Sequence, residues 1–299
     1  MIYRAKVPAT SANVGAGFDT LGLALSLYNT FEVEEISEGL EFIGFEERFS
    51  NRENILFTAM KKVFKKANYK KESFKIKLIN QDIPITRGLG SSSSCIVAGV
   101  LIANKILNNK FTIDETLDIA TEIEGHPDNV APAILGGFVV SVVEKSKVYY
   151  NSVEIDRNMK FFVGIPSFEL STSVARKVLP KEYIASDVIY NISRAALTAS
   201  AFSSKNYDLL KVSCRDKFHE PYRSGFIENY QEVKEIFNEN NILCNFLSGA
   251  GPTIIGIKKI SDNEEKEFIS IEKSLKQLKS KWLLKSLKAD NIGAIVEER

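Results

Sequence analysis

The chain has 299 residues, 44% hydrophobic and 26% charged, the make-up of a globular protein with a full core in one or two domains. Its 39 basic and 38 acidic residues leave a net charge of +1, so no charge surplus points to nucleic acid or a membrane surface. The three cysteines, Cys95, Cys214 and Cys244, are odd in number and match no metal spacing. They read as reduced thiols of a cytoplasmic protein. The N-terminal stretch Met1–Pro8 lacks a secretory apolar core, and no apolar run is long enough to span a bilayer.

Ile2–Pro8 alternates as a short strand and runs into Ala9–Thr20, a loop of small and polar residues in which Gly15 and Gly17 allow close approach of backbone or ligand. Strand patterns resume over Leu21–Tyr28 and Thr30–Glu35. Glu53 and Asn54 open an amphipathic helix with Leu56, Ala59, Met60 and Val63 on its buried face. A strand over Ser73–Asn80 and a helix over Cys95–Leu107 follow.

Between that strand and that helix stands Pro84-Ile85-Thr86-Arg87-Gly88-Leu89-Gly90-Ser91-Ser92-Ser93-Ser94. Two glycines and four serines at a strand-to-helix junction let the backbone bend tightly and turn free N–H groups onto a phosphate, with the helix dipole adding positive character. The usual nucleotide loop carries Lys after its second Gly; here Gly90 is followed by Ser91, so that motif is absent.

Thr112 and Glu115 have capping-box spacing, Ile113, Leu117, Ala120 and Ile123 form an apolar stripe, and Gly125 stops the helix just after Glu124. His126–Pro132, with two prolines, reads as a polar loop, and Gly136–Val143 and Lys147–Val153 as strands. The texture changes near Ile155, which divides the chain into domains at 1–155 and 156–299. The second half has a strand at Phe161–Ile165 and a short helix at Ser171–Arg176. Further helices cover Ala185–Phe202, Asp208–Ser213 and Phe226–Asn240; strands at Cys244–Leu247 and Thr253–Lys258 flank the turn Ser248–Pro252. A helix over Glu264–Leu278 and two closing strands finish it. Strands and helices mix without strict alternation, so the fold class is α+β.

Pro84–Ser92, the Pro8–Asp19 segment, His126–Pro132 and Ser248–Pro252 together resemble the homoserine kinases of the GHMP small-molecule kinase superfamily. The likeness covers nearly the whole chain, and the Gly-Glu-His element of mevalonate-type relatives is absent. It implies an N-terminal domain like ribosomal protein S5 domain 2, a ferredoxin-like C-terminal domain, and an active site in the cleft between them.

The implied activity is ATP-dependent phosphorylation of L-homoserine to O-phospho-L-homoserine in threonine biosynthesis. Two rivals stand beside it: another GHMP kinase with a different alcohol, and a catalytically silent nucleotide-binding regulator. The implied ligands are ATP, Mg²⁺ and L-homoserine, with a homodimer allowed and neither nucleic acid nor membrane involved. Residues 84–94 would cradle the phosphates, Arg87 would reach toward one, and Asn54 would touch adenine. Mg²⁺ takes oxygen ligands. Spacing alone leaves Glu122 and Glu124 both eligible; the resemblance selects Glu124, with Ser91 or Ser92, and Ser92 is the chosen partner. Arg176 and Arg223, helped by Thr172, would grip the substrate carboxylate and Asp19 its ammonium group. Asn13, His126 and Asn129 would surround the reacting hydroxyl. Where many superfamily members carry an Asp base, this chain has Asn129, which is no base near neutral pH. Catalysis by Asn129, Glu124 and Ser92 is therefore expected to work by positioning and charge neutralisation.

Overall fold

Asn54 and Thr112 begin their helices as their side chains dictate, and the computed structural model, which describes residues 1–299, shows how. The Asn54 side chain accepts hydrogen bonds from the N–H groups of Leu56 and Phe57, and Thr112 with Glu115 forms a complete capping box. The first half runs β1 (Ile2–Ala12), β2 (Leu21–Glu35), β3 (Leu40–Ile43), α1 (Ile55–Ala67), β4 (Phe74–Gln81), α2 (Ser91–Ile106), α3 (Ile113–Glu124), α4 (Pro127–Leu135), β5 (Phe138–Glu144) and β6 (Lys147–Val153). The second half runs β7 (Met159–Pro166), α5 (Thr172–Lys177), α6 (Ala185–Ser203), α7 (Leu210–Ser213), α8 (Glu220–Arg223), α9 (Tyr230–Asn238), β8 (Cys244–Leu247), β9 (Ile254–Lys259), α10 (Glu264–Leu275), β10 (Trp282–Leu287) and β11 (Ile295–Glu298).

The first sheet has 7 strands: β11-β1-β2-β4-β3 in order, with β5 paired to the N-terminal end of β2 and β6 beyond it. The second sheet, β10-β7-β9-β8, is antiparallel throughout, the order of a ferredoxin-like βαββαβ unit. The α+β expectation thus holds, and no helix is long and apolar enough to cross a membrane. The chain does not stay in the second sheet to its end. β11 returns to pair with β1, and Ile2 and Arg299 exchange backbone hydrogen bonds of 3.1 and 2.8 Å.

Among the differences from the sequence reading, three bear on the site. Ala9–Ala12 belong to β1, which continues past a register shift after Pro8, so the loop begins only at Asn13. Leu21–Glu35 is one strand, with Asn29 in place of a break: its side chain accepts from the Ile83 N–H and donates to Ser94 Oγ. The third is the polar loop expected at His126–Pro132, which is the helix α4. Pro127 sits at its first position, where a fixed φ helps and no N–H is needed. Pro132 leaves the Asp128 carbonyl without its helical partner, and that oxygen lies where a side chain on Gly22 would be, 1.9 Å from the ideal Cβ.

Burial divides into three clusters. The first packs α1–α4 on the first sheet through Phe57, Phe74, Ile96 and Val130. The second joins the two halves: Leu21, Leu23 and Phe138 meet Phe161, Val163, Phe202 and Phe246. The third takes the alternate residue of β7, Phe162, against Phe237 of α9 and Ile271 of α10. Helices α1 and α2 cross at Gly99, where an added Cβ would lie 2.3 Å from the Leu56 carbonyl oxygen and 2.8 Å from Ala59 Cβ. Gly99→Ala is expected to lower stability by about 2 kcal/mol through overpacking despite its gain in helix propensity. Equilibrium urea denaturation checks this; an unchanged midpoint would show that α1 can move aside.

Candidate active site

A cleft of about 550 Å³ lies between the loops of the two halves. It brings together Asn13, Asp19, Asn54, the 85–88 and 90–93 stretches, Glu124, His126, Asn129, Thr172, Arg176 and Arg223. Pro84, Leu89 and Ser94 stay outside its lining; Leu89 and Ser94 are fully buried, and Ser94 Oγ closes a local bond onto the Ser91 carbonyl at 2.8 Å.

Gly90 stands in the left-handed region at φ 70° and caps α2, so the first-turn N–H groups of Ser91 to Ser93 face outward without helical partners. Gly88, at φ 74°, touches the second half so closely that an added Cβ would lie 2.4 Å from the Ser248 carbonyl oxygen. Ser248 Oγ reaches both the Gly88 carbonyl, at 2.6 Å, and Ser11 Oγ, at 2.8 Å. Arg87 turns away from the cleft centre. Its Nε, Nη1 and Nη2 donate to the carbonyls of Pro166, Ile85 and Ser167, and Nη1 lies 3.3 Å from Glu169. It therefore straps the loop to the segment leading into α5. The polar atoms of Asn54 are similarly occupied, two bonds capping α1 and one holding the Phe49 carbonyl.

Glu122 and Glu124 separate cleanly. Glu122 is exposed and paired with Lys62 and Lys66, whose hydrogen bonds hold its carboxyl below its ordinary range. Glu124 lines the cleft and accepts from Ser93 Oγ at 2.8 Å. Burial raises its pKa more than Ser93 and His126 lower it. Ser93 is thus the hydroxyl beside Glu124, while Ser92 is more exposed on the same turn. His126 Nδ1 meets Asp128 Oδ1 at 2.5 Å. Burial works against its charge, but the bond to Asp128 and the surrounding carboxylates raise its pKa. Asn129 Oδ1 accepts from Thr10 Oγ1 at 2.8 Å.

At the other end of the cleft two guanidiniums flank the ring of Phe18, Arg176 at 5.6 Å and Arg223 at 5.3 Å from its centroid. Arg176 grips Asp19 with two bonds of 3.0 and 2.7 Å. Arg223 is 2% exposed and has no carboxylate in contact. Its Nε donates to the Ala175 carbonyl, its Nη1 to the Gly249 carbonyl and to His219 Nδ1, which leaves Nη2 to the cleft. Burial and the neighbouring Arg176 push its pKa down to about 10, so it remains charged at neutral pH. Asn13 is committed to the fold around these groups, donating to the Gly249 carbonyl at 2.8 Å and accepting from the Asp19 N–H at 3.2 Å.

An anion-ready helix start, a carboxylate–hydroxyl pair of hard oxygen donors and a charged clamp across a two-domain cleft make this the architecture of a small-molecule kinase. Residues 54–137 match the family described as GHMP kinases N terminal domain. Homoserine kinase of Clostridium beijerinckii is 50% identical over 98% of each chain, and that of Clostridium botulinum 49% identical over 99% of this chain and 98% of its own. The crystal structure of homoserine kinase from Cytophaga hutchinsonii superposes with a TM-score of 0.89 at 25% identity, covering 99% of this chain and 97% of that one. The chain belongs to the homoserine kinase family.

Sequence reading did not single out Thr10, Phe18, Asp128, His219 or the Gly249 carbonyl for these roles. Thr10 lies 119 positions from Asn129 and Gly249 lies 236 from Asn13, and no spacing rule reaches that far; Asp128 and His219 have partners two and four positions away, His126 and Arg223, whose own roles depend on the fold. Arg87 gives a direct test of its role as a strap. Arg87→Lys keeps the charge but not the three-way fork, so it should lose about 2 kcal/mol of stability, much as Arg87→Met does. Parallel urea melts of the two variants check this; a fully stable Lys variant would show that charge alone is used.

Proposed function

We propose that the chain transfers the γ-phosphoryl group of ATP to the side-chain hydroxyl of L-homoserine, giving O-phospho-L-homoserine for threonine biosynthesis and ADP. The observation that carries this reading is Arg223, a buried guanidinium without a carboxylate partner, standing beside the Arg176–Asp19 pair. A zwitterionic amino acid answers that arrangement: its carboxylate meets Arg223 Nη2 and Arg176, and its ammonium group meets Asp19. Thr172 borders the same pocket. The hydroxyl then lies toward His126 and Asn129, with the phosphates of ATP on the amides of residues 88–93 and the base toward the Asn54 end of the cleft.

Glu124 and the adjacent serine hydroxyl, Ser93 or Ser92, are oxygen donors that fit Mg²⁺. When bound, the ion supplies neutralisation of phosphate charge that the missing loop lysine does not. In the transfer itself, the substrate oxygen forms a bond to the γ-phosphorus as the bond to the β–γ bridging oxygen breaks. The hydroxyl proton passes to an oxygen of the transferred group. Asn129 takes no proton; it and His126, held by Asp128, orient the hydroxyl. A domain division at 155/156, with β11 returned to the first sheet, belongs to the same reading, as do a cytoplasmic location and a homodimer.

An ATP-consumption assay over homoserine, mevalonate, shikimate and galactose decides between the readings. Turnover with homoserine alone is expected; activity only on a non-amino-acid alcohol would overturn the assignment, and tight ATP binding without turnover would mark a silent regulator. Arg223→Lys should raise KM for homoserine about 10–100-fold and leave KM for ATP unchanged, since it removes charge-assisted bonds at the carboxylate only. Equal rises in both constants would place Arg223 elsewhere.

A further inference from the structure

We propose that Thr10 is a positioning residue for phosphoryl transfer: its hydroxyl locks the Asn129 amide with the oxygen held by β1 and the NH₂ offered to the reacting groups. The inference rests on the kinase reading above. Thr10 lies on β1, wholly buried, and the phosphate loop rests against it. Its N–H donates to the Leu89 carbonyl at 3.2 Å, and an added Cβ on Gly90 would fall 2.1 Å from Thr10 Oγ1. One residue therefore sets the loop that holds the phosphates and the side chain that faces the substrate hydroxyl.

A threonine hydroxyl has one proton to give, and the acceptor for Thr10 is Asn129 Oδ1 at 2.8 Å. Reversing the amide would direct its N–H at Oγ1 and leave the hydroxyl proton without an acceptor in a buried site, so a single orientation is favoured. Asn129 Nδ2 has no bond inside the chain, while the residue lines the cleft. The amide is thereby fixed as a donor. It can place N–H groups on the attacking oxygen or on the transferred phosphoryl oxygens, where charge changes during the reaction. Its own oxygen is engaged and cannot receive the departing proton. The β-branched side chain, restricted about χ1 on a strand, suits a residue whose hydroxyl direction matters.

The test compares Thr10→Val, Thr10→Ala and Thr10→Ser in kcat and in both KM values, each also in an Asn129→Ala background. Thr10→Val is expected to lower kcat about 10-fold or more with both KM values within about 2-fold, and Thr10→Ser to recover it to within about 3-fold. In the Asn129→Ala background the Val change should add less than about 2-fold, because the amide it orients is gone. Thr10→Ala carries the same comparison if the Val protein does not fold. An unchanged kcat, a Ser variant as damaged as Val, or a full loss persisting without the Asn129 amide would overturn the proposal. Parent turnover on homoserine reports separately on the proposed function. The variant-to-parent ratio, taken on whichever alcohol the parent phosphorylates, reports on Thr10.

Discussion

Everything at the active site depends on how closely the phosphate loop lies against the second half of the chain. Gly88 meets the Ser248 and Gly251 backbone at a distance that excludes any side chain, and Ser248 Oγ ties the same point to Ser11. The next residue, Gly249, gives its carbonyl to both Asn13 and Arg223. A backbone contact of this kind has no slack, so the two sides of the cleft are built to one register. Arg87 reinforces it from the other flank through carbonyls of residues 166 and 167. Glycine here serves proximity as much as φ.

Charge is distributed in keeping with that register. Arg223 is buried in a wall of carbonyls beside His219, whose Nε2 lies 3.1 Å from the Gly15 carbonyl and whose Nδ1 lies 3.3 Å from Arg223 Nη1. These contacts engage Nε and Nη1 without cancelling the charge. Arg176, more exposed on α5, has its charge matched by Asp19. Burying an uncancelled cation is unfavourable on its own, and an anion bound beside it would relieve that penalty. The carboxylate bonded to the serine turn is Glu124, which two helical steps of about 100° each set on the opposite side of α3 from its lysine-paired neighbour Glu122.

Much of this could be read from residues alone where the cause is local. The capping box at Thr112, the Asn54 cap, the glycine stop after Glu124 and the strand at β7 are each decided within a few positions. The family likeness then assembled the loops that no local rule connects. Reading failed where tertiary contacts overrode local signals. Two prolines in His126–Pro132 argued against a helix, yet Pro127 occupies the one position that favours it and Gly22 makes room for the carbonyl that Pro132 frees. Asn54 and Arg87, ligand contacts by the family resemblance, line the cleft, and the fold adds bonds to backbone carbonyl and N–H groups that the sequence did not announce. Thr10 and His219 were invisible because each acts on a residue whose role is itself defined by the fold.

The return of β11 to the first sheet carries a consequence for motion. The chain passes between the two halves twice, near residue 155 and again between β10 and β11, and its ends finish side by side through Ile2 and Arg299. Two covalent crossings define a line. Together with the buried cluster that joins the halves, they oppose twisting of one half about a single tether.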